Sequence, residues 1–363
     1  MAQPIRIGFI GLNPDSHWAA TAHIPALSTL IDKFQVIGVA NSSAESAQRT
    51  AKALNLPYAF SDVDELVNSP EIDLVVVTVK VPHHLKLVTA AINAGKHVYC
   101  EWPLANGVAE AKTLANLANS KGVVAVCGTQ ARMAPEIIHL TKLISEGYVG
   151  KVLSTSLIGS GGNWAGETIN EYYYLFDAQN GANMQTIPLA HTLAAIKDVL
   201  GEFGSLSARF LSNFDTVTVT DTNEIKPKTV PDQLMIHGCL KSGAAIAVHY
   251  RGGVNRGTNF LWEINGTEGD IQVSAGLGHA QMVQLTIKGA LRGDETTLKT
   301  ILPAPSLYQG KPEAAAARNV AGVYNALYHD IVNGTQTAPS FNDAVALHQL
   351  IDNIERSAKC CAE

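Results

Sequence analysis

The chain has 363 residues, a net charge of −6 and a pI near 6.1; that length exceeds one compact core and predicts two domains. The acidic balance and the lack of a Lys/Arg run remove the electrostatic basis for direct binding to nucleic acid or an anionic membrane. Cys100, Cys127, Cys239, Cys360 and Cys361 form neither a CxxC pair nor an even framework, and residues 1–10 do not read as a signal peptide, so a reducing, cytoplasmic setting is expected, with no apolar run of about 18 residues to span a membrane.

Ile5 to Ile10 reads as a strand that ends at Gly11, and Ala19 to Ile31 as a helix interrupted by Pro25. Gln35–Ala40 is a second strand and Ser43–Leu54 has helical spacing. Asp73–Val79 is a continuous β-branched run, as a strand buried on both faces should be. His83–Ala94 is a helix stopped by Gly95, followed by a strand at His97–Cys100, a helix at Val108–Ser120 and a strand at Val123–Cys127. This alternation predicts an α/β Rossmann domain, a doubly wound parallel sheet, over residues 1–127.

The texture changes near residue 130. After a helix at Pro135–Ser145, strand patterns occur at 152–159, 205–212, 233–240, 244–250, 259–264, 270–273 and 282–287, with a helix at His191–Leu200 among them. These predict a C-terminal α+β domain, residues 128–340, with a large, mostly antiparallel open sheet. Helices follow at 314–332 and 341–358, the second capped by Ser340 and, as the segment 341–363, expected to pack back on the first domain.

The first strand runs into IGFIGLNPDSHWA, residues 7–19. A dinucleotide fold needs a glycine where the chain leaves the strand and small residues where backbone amides meet the pyrophosphate. Gly11 fits the first role; Asn13 and Ser16 stand at the other two positions of a broken G-x-G-x-x-G, and Asn tolerates positive φ. Trp18 follows. The second strand ends Val39-Ala40-Asn41-Ser42-Ser43 with Arg49 on the next helix. No carboxylate is there to repel a 2′-phosphate, which favours NADP over NAD; the alternative for Ser42 or Ser43 is a helix cap.

Residues 94–105, AGKHVYCEWPLA, resemble the AGKHV-x-x-EKP-L-A motif of the Gfo/Idh/MocA oxidoreductase family. Thr78 and His84 fall in the stretch that meets the cofactor there; Arg132, the segment from Asn180-Gly181 to His191, and NGTEGD at 265–270 also match. The resemblance implies cofactor contacts from Thr78, Lys80, His84, Glu101, Trp102, Pro103 and Gln130. Trp102 replaces the family lysine of E-K-P, Ile187 replaces the aspartate four residues before the histidine, and Lys80 replaces a usual proline. The E-W-P form, with Gly159–Trp164 and Lys228–Asp232, is similar to the family branch of the yeast galactose-regulon repressor; that repressor binds NADP and acts through protein contacts, whereas its close fungal and bacterial relatives are generally called oxidoreductases.

Alcohol–nicotinamide chemistry needs a group to carry the hydroxyl proton. Trp102 only donates through its indole, so it would stack on the nicotinamide or serve as a core aromatic. His191 is then the acid/base candidate, with a buried structural histidine as the alternative. Lys80, either at the site or solvated, is a second catalytic candidate. Asn163, Trp164, Tyr172 and Tyr173 suit a sugar ring, with Tyr173 also a catalytic candidate; aromatic packing under a long loop is the alternative. No metal-ligand spacing is present. The expectation is an NADP-dependent oxidoreductase for a sugar, polyol, cyclitol or related carbonyl compound, working as a homodimer or homotetramer. The other reading is a catalytically silent sensor of NADP(H) or sugar.

Overall fold

A computed structural model describes residues 3–15, 17–293 and 296–360. The chain divides into two compact units, one of residues 1–130 with 308–348, the other of residues 131–307 with 349–363.

The first unit is built on six parallel strands: β1 (Ile5–Ile10), β2 (Phe34–Ala40), β3 (Tyr58–Ala59), β4 (Leu74–Val77), β5 (His97–Glu101) and β6 (Ala125–Gly128), in the order β3-β2-β1-β4-β5-β6. All four residues of β4 are buried, because helices cover both faces. The strand order reverses between β1 and β4, so the chain ends of these strands flank a crevice. Its helices are α1 (Ile24–Leu27), α2 (Ala44–Leu54), α3 (Val63–Asn68), α4 (His84–Asn93) and α5 (Val108–Lys121). The helix expected over Ala19–Ile31 is a π-helical turn, Ala19–His23, followed by α1. Pro25, which has no N–H to give, sits in the first turn of α1 and restarts the helix there.

In the second unit α6 (Pro135–Ser145) leads into β7 (Val152–Ser160), the short β8 (Glu167–Thr168), α7 (Ala190–Leu200), β9 (Phe203–Leu211), β10 (Thr216–Val219), β11 (Glu224–Pro227), β12 (Gln233–Leu240), β13 (Ala245–Arg251), β14 (Phe260–Gly266), β15 (Gly269–Ala275), β16 (Thr286–Leu291) and β17 (Lys299–Ile301). Eight of these form one sheet, β17-β16-β15-β14-β7-β13-β12-β9, antiparallel except for β7 with β13. One face of it is core: Leu157, Leu234, Ile236, Val248, Tyr250, Trp262, Ile264 and Val273 are buried. The strand expected at 282–287 begins at Thr286, because Met282 N donates to His279 O and closes a turn before it.

Two long helices complete the chain, α8 (Ala315–Asn333) and α9 (Phe341–Cys360). Residues 308–340, expected with the second domain, cluster with the first unit. The cause is the apolar face of α8, where Val320, Tyr324 and Leu327 are buried and Tyr324 sets its ring against Phe34 at 5.4 Å. Ser340 caps α9 in a reciprocal box: Asp343 N donates to Ser340 Oγ, and Ser340 N and Oγ donate to Asp343 Oδ2. Cys127 N donates to Pro339 O at 2.8 Å, so the segment before α9 covers the open edge of β6.

Candidate functional site

The turn after β1 is built around Gly11, whose φ is +94°. A Cβ at that position would collide with the side chain of Val79, so the close approach of the β1 and β4 turns demands glycine. Asn41 secures the turn from β2: Leu12 N donates to its Oδ1 at 3.0 Å and its Nδ2 donates to Leu12 O at 2.9 Å. Thr50, fully buried on α2, also donates to Leu12 O, and Thr78 Oγ1 donates to Gly11 O at 2.9 Å. Asn41 and Thr78, read as cofactor contacts, therefore act by shaping the turn. Thr50 escaped sequence reasoning because a helical threonine carries no signal of its tertiary partner.

Asn13 does not take up positive φ; its Oδ1 accepts from Asp15 N, and His17 is left-handed, at φ 71°. Ser16 lies outside the described residues. Ser43 caps α2 by accepting from Ser46 N at 3.2 Å, while Ser42 and Arg49 are exposed. Lys80 is exposed on the turn after β4.

The β5 end carries most of the buried polar chemistry. Glu101 lies flat on Gly128, where a Cβ would clash with its carboxylate. Its Oε1 is 2.9 Å from His23 Nε2, and His23 Nδ1 is 2.8 Å from the Tyr324 hydroxyl, both His23 and Tyr324 being fully buried. Burial pushes the Tyr324 hydroxyl far above its ordinary pKa, with the Glu101 charge adding to the shift. A protonated Tyr324 donates to Nδ1, which leaves Nε2–H to donate to Glu101. His84 spends both ring nitrogens on backbone, Nδ1 at 2.9 Å from Pro103 O and Nε2 at 2.8 Å from Val79 O. It clasps the β4 and β5 turns together and leaves no nitrogen for a ligand. The Trp102–Pro103 bond is cis, and Trp102 is 6% exposed.

The buried polar atoms around these strand ends that lack a hydrogen-bond partner include Trp18 Nε1, Thr129 Oγ1 and Gln130 Oε1. Such atoms are costly unless something pairs them. With a glycine turn that no Cβ could enter, they fit a dinucleotide.

In the second unit, His191 lies one residue into α7 and is 3% exposed. Its Nδ1 has no hydrogen-bond partner. Burial, helped by neighbouring His279, pushes its pKa down to about 3, so the ring is neutral. His279, itself buried, faces Gly161 O through Nε2 and stacks on Trp164 with ring centroids 6.3 Å apart. Sequence reading missed His279, since 88 residues of separation from His191 leave no local pattern. Trp164 adopts φ 67°, is 1% exposed, and donates Nε1 to Leu175 O at 2.9 Å. It supports His279 from within the core, and its indole N–H is not available to a sugar. Asn163 is part of the same loop, its carbonyl accepting from Gly253 N at 2.7 Å. Tyr173 is drawn away from a catalytic role: its hydroxyl donates to Pro227 O at 3.0 Å and Lys226 lies over its ring. Tyr172 is 41% exposed. Arg132 is forked onto Asp198 at 2.6 and 3.0 Å, a structural pairing between α7 and the segment leading into α6.

A six-stranded parallel sheet with a glycine turn at its switch point and unpaired polar groups at the strand ends defines a dinucleotide-binding domain of the Rossmann type. Residues 5–129 match the family described as "Oxidoreductase family, NAD-binding Rossmann fold", and residues 135–275 match "Gal80p, C-terminal domain". A dehydrogenase of Aspergillus oryzae, aclE, is 30% identical, the alignment covering 99% of this chain and 97% of the relative. The galactose/lactose metabolism regulatory protein GAL80 of Kluyveromyces lactis is 27% identical over 99% of this chain and 94% of its own. The crystal structure of a super-repressor mutant of Gal80p from Saccharomyces cerevisiae superposes with a TM-score of 0.90 at 25% identity, covering 99% of this chain and 96% of that one. The chain belongs to the Gfo/Idh/MocA oxidoreductase family, with residues 135–275 similar to the Gal80p C-terminal domain.

Proposed function

We propose that the protein is an NAD(P)-dependent oxidoreductase, preferring NADP, that acts on a sugar, polyol, cyclitol or related carbonyl compound, with His191 as acid/base. The observation that carries this reading is the buried Nδ1 of His191, left without a partner. A desolvated nitrogen in that state costs free energy unless a ligand group pairs it, and a substrate hydroxyl is such a group. A bound nicotinamide dinucleotide supplies the hydride donor or acceptor. The first unit's residues would hold it: Gly11 admits the pyrophosphate, Trp18 and Gln130 offer unspent polar atoms, and Glu101 is oriented by His23. The lack of a carboxylate at Asn41-Ser42-Ser43 and the exposure of Ser42 and Arg49 support NADP. His191 Nδ1 would accept the proton of the substrate hydroxyl in the oxidative direction and return it in reduction, a role that requires the bound ligand to raise the pKa of the buried ring from about 3.

A second reading, a silent NADP(H)- or sugar-sensing regulator, is favoured by Trp102 and Ile187, which stand where the family carries lysine and aspartate, and by the likeness to the GAL80 proteins. Absorbance at 340 nm on mixing the protein, NADP⁺ and a panel of sugars and polyols separates the two, with tryptophan fluorescence recorded together. Quenching with growth at 340 nm supports the enzyme. Quenching with neither growth nor NADPH consumption by the matching ketones supports the sensor. If turnover is found, His191→Asn should lower kcat at least 100-fold with the fold retained; unchanged turnover removes His191 from the reaction.

A further inference from the structure

His348 has no place in the assignment above, yet it is 4% exposed and its Nε2 is buried without a hydrogen-bond partner. Its ring lies against Trp102, centroids 4.5 Å apart and planes tilted by 40°. The placement is not accidental to α9. Phe341, Ala344, Leu347 and His348 form one buried stripe at helical spacing, and only the last carries a polar group. The capping box at Ser340 and the bond from Cys127 N to Pro339 O fix the start of this helix beside β6. A phenylalanine would keep a flat aromatic ring there without burying an unpaired nitrogen.

The sheet says which ligand end belongs here. In a doubly wound sheet the two halves of a dinucleotide lie on either side of the switch point, and the adenosine half goes with the β1 turn and the end of β2. Trp102 directly follows β5, on the other side. We infer that Trp102 and His348 form the binding surface for the nicotinamide end, with His348 Nε2 making one hydrogen bond to the carboxamide. This rests on the dinucleotide-binding reading above and deepens it. The primary amide is the matching chemistry because it both donates and accepts, so it pairs with either tautomer of a neutral imidazole. Burial drives the His348 pKa down to about 4, which keeps it neutral and removes any attraction for an anion.

The test compares ligands that differ only in the nicotinamide: NADP⁺ against 2′-phospho-ADP-ribose, and NAD⁺ against ADP-ribose, titrated calorimetrically into the whole protein. In His348→Phe, affinity for NADP⁺ should fall about tenfold while affinity for 2′-phospho-ADP-ribose stays within twofold. The thermal midpoint should hold, since removing an unpaired buried nitrogen offsets the packing cost of the larger ring. His348→Gln, which keeps a donor and an acceptor, should recover most of the loss. Equal weakening of both ligands with a lowered midpoint would assign His348 to packing alone, and unchanged affinity for NADP⁺ would equally overturn the inference. Wild-type protein that binds both ligands alike keeps the dinucleotide reading and rejects this one. Wild-type protein that binds neither rejects both.

Discussion

A short polar residue at the end of β2 does two different jobs in this chain. Asn41 is spent internally: its amide pairs both backbone groups of Leu12 and reaches Ser46 and Thr50. Ser42, one residue on, is exposed. Cofactor choice should therefore be set at 42 and not at 41. Ser42→Asp places a carboxylate where it would repel a 2′-phosphate and accept from a ribose hydroxyl. Affinity for NADP⁺ should drop at least tenfold while that for NAD⁺ holds or improves, as read by fluorescence titration. Loss of both together would mean that the variant disturbs the turn, and no change would place the 2′-phosphate elsewhere. The relay from Tyr324 through His23 to Glu101 shows the same economy: a fully buried imidazole fixes one carboxylate oxygen and leaves the other uncommitted by that bond.

At the scale of elements, the loop between β11 and β12 is held by a buried ion pair. Lys228 Nζ donates to Val230 O at 2.7 Å and lies 3.2 Å from Asp232 Oδ2, with the two side chains 0% and 1% exposed. Asp232 also accepts from Asn213 N and Nδ2, each at 2.7 Å. Burial alone would raise the Asp232 pKa, but the Asn213 bonds and then Lys228 outweigh it and hold it below its ordinary 3.8. A depressed carboxylate contributes stability that is present above the unfolded-state value and is lost as pH falls through the folded-state value. Lys228→Met strands the buried charge and should cost about 3–5 kcal/mol near pH 7. Denaturant melts should show that cost shrinking below about pH 4, as Asp232 takes up its proton. A cost independent of pH would mean that lost packing, not the ion pair, is responsible.

Elements with a repeating pattern were legible in the sequence, and those made by tertiary chance were not. The DLVVVTV run marks β4 because a strand covered on both faces must be apolar throughout. Ser340 reads as the cap of α9 because capping chemistry is local. The three-stranded sheet β11-β10-β8 is different: β8 has only two residues, and the β10 residues that pair with them lie 51 positions on. Nothing in Glu167-Thr168 announces a strand. The candidate site divides along the same line. Gly11 and His191 are motif residues, whereas His23, His279 and His348 acquire meaning only from partners remote in the chain. Trp164, which reads as a sugar platform, is turned inward by a left-handed backbone and its bond to Leu175 O.

For the whole molecule, the question is what covers the second face of the eight-stranded sheet. Along β13, Ile246, Val248 and Tyr250 are buried while Ala245 and Ala247 are exposed. Along β12, Leu234 and Ile236 point to the core, whereas His237 and Cys239 are exposed. Ile158 on β7 adds an apolar side chain at 37% exposure. This face is mixed: Ala245, Ala247, His237, Cys239 and Ile158 share it with Arg209, Glu263 and Lys288, which the strand register sets on the same rows. Its middle carries the small side chains Ser156, Ala245 and Ala247, with Arg209 and Lys288 on strands to either side, an arrangement that fits an interface between identical chains with a polar rim. The expected state is a dimer or tetramer joined through this sheet. Sedimentation at micromolar concentration should give at least twice the mass of 38.5 kDa. His237→Glu together with Ala247→Glu sets like charges opposite one another on paired strands and should shift the protein to monomer without unfolding it. A wild-type monomer refutes the assembly outright, while an oligomer that survives both substitutions keeps the assembly and moves its interface off the sheet.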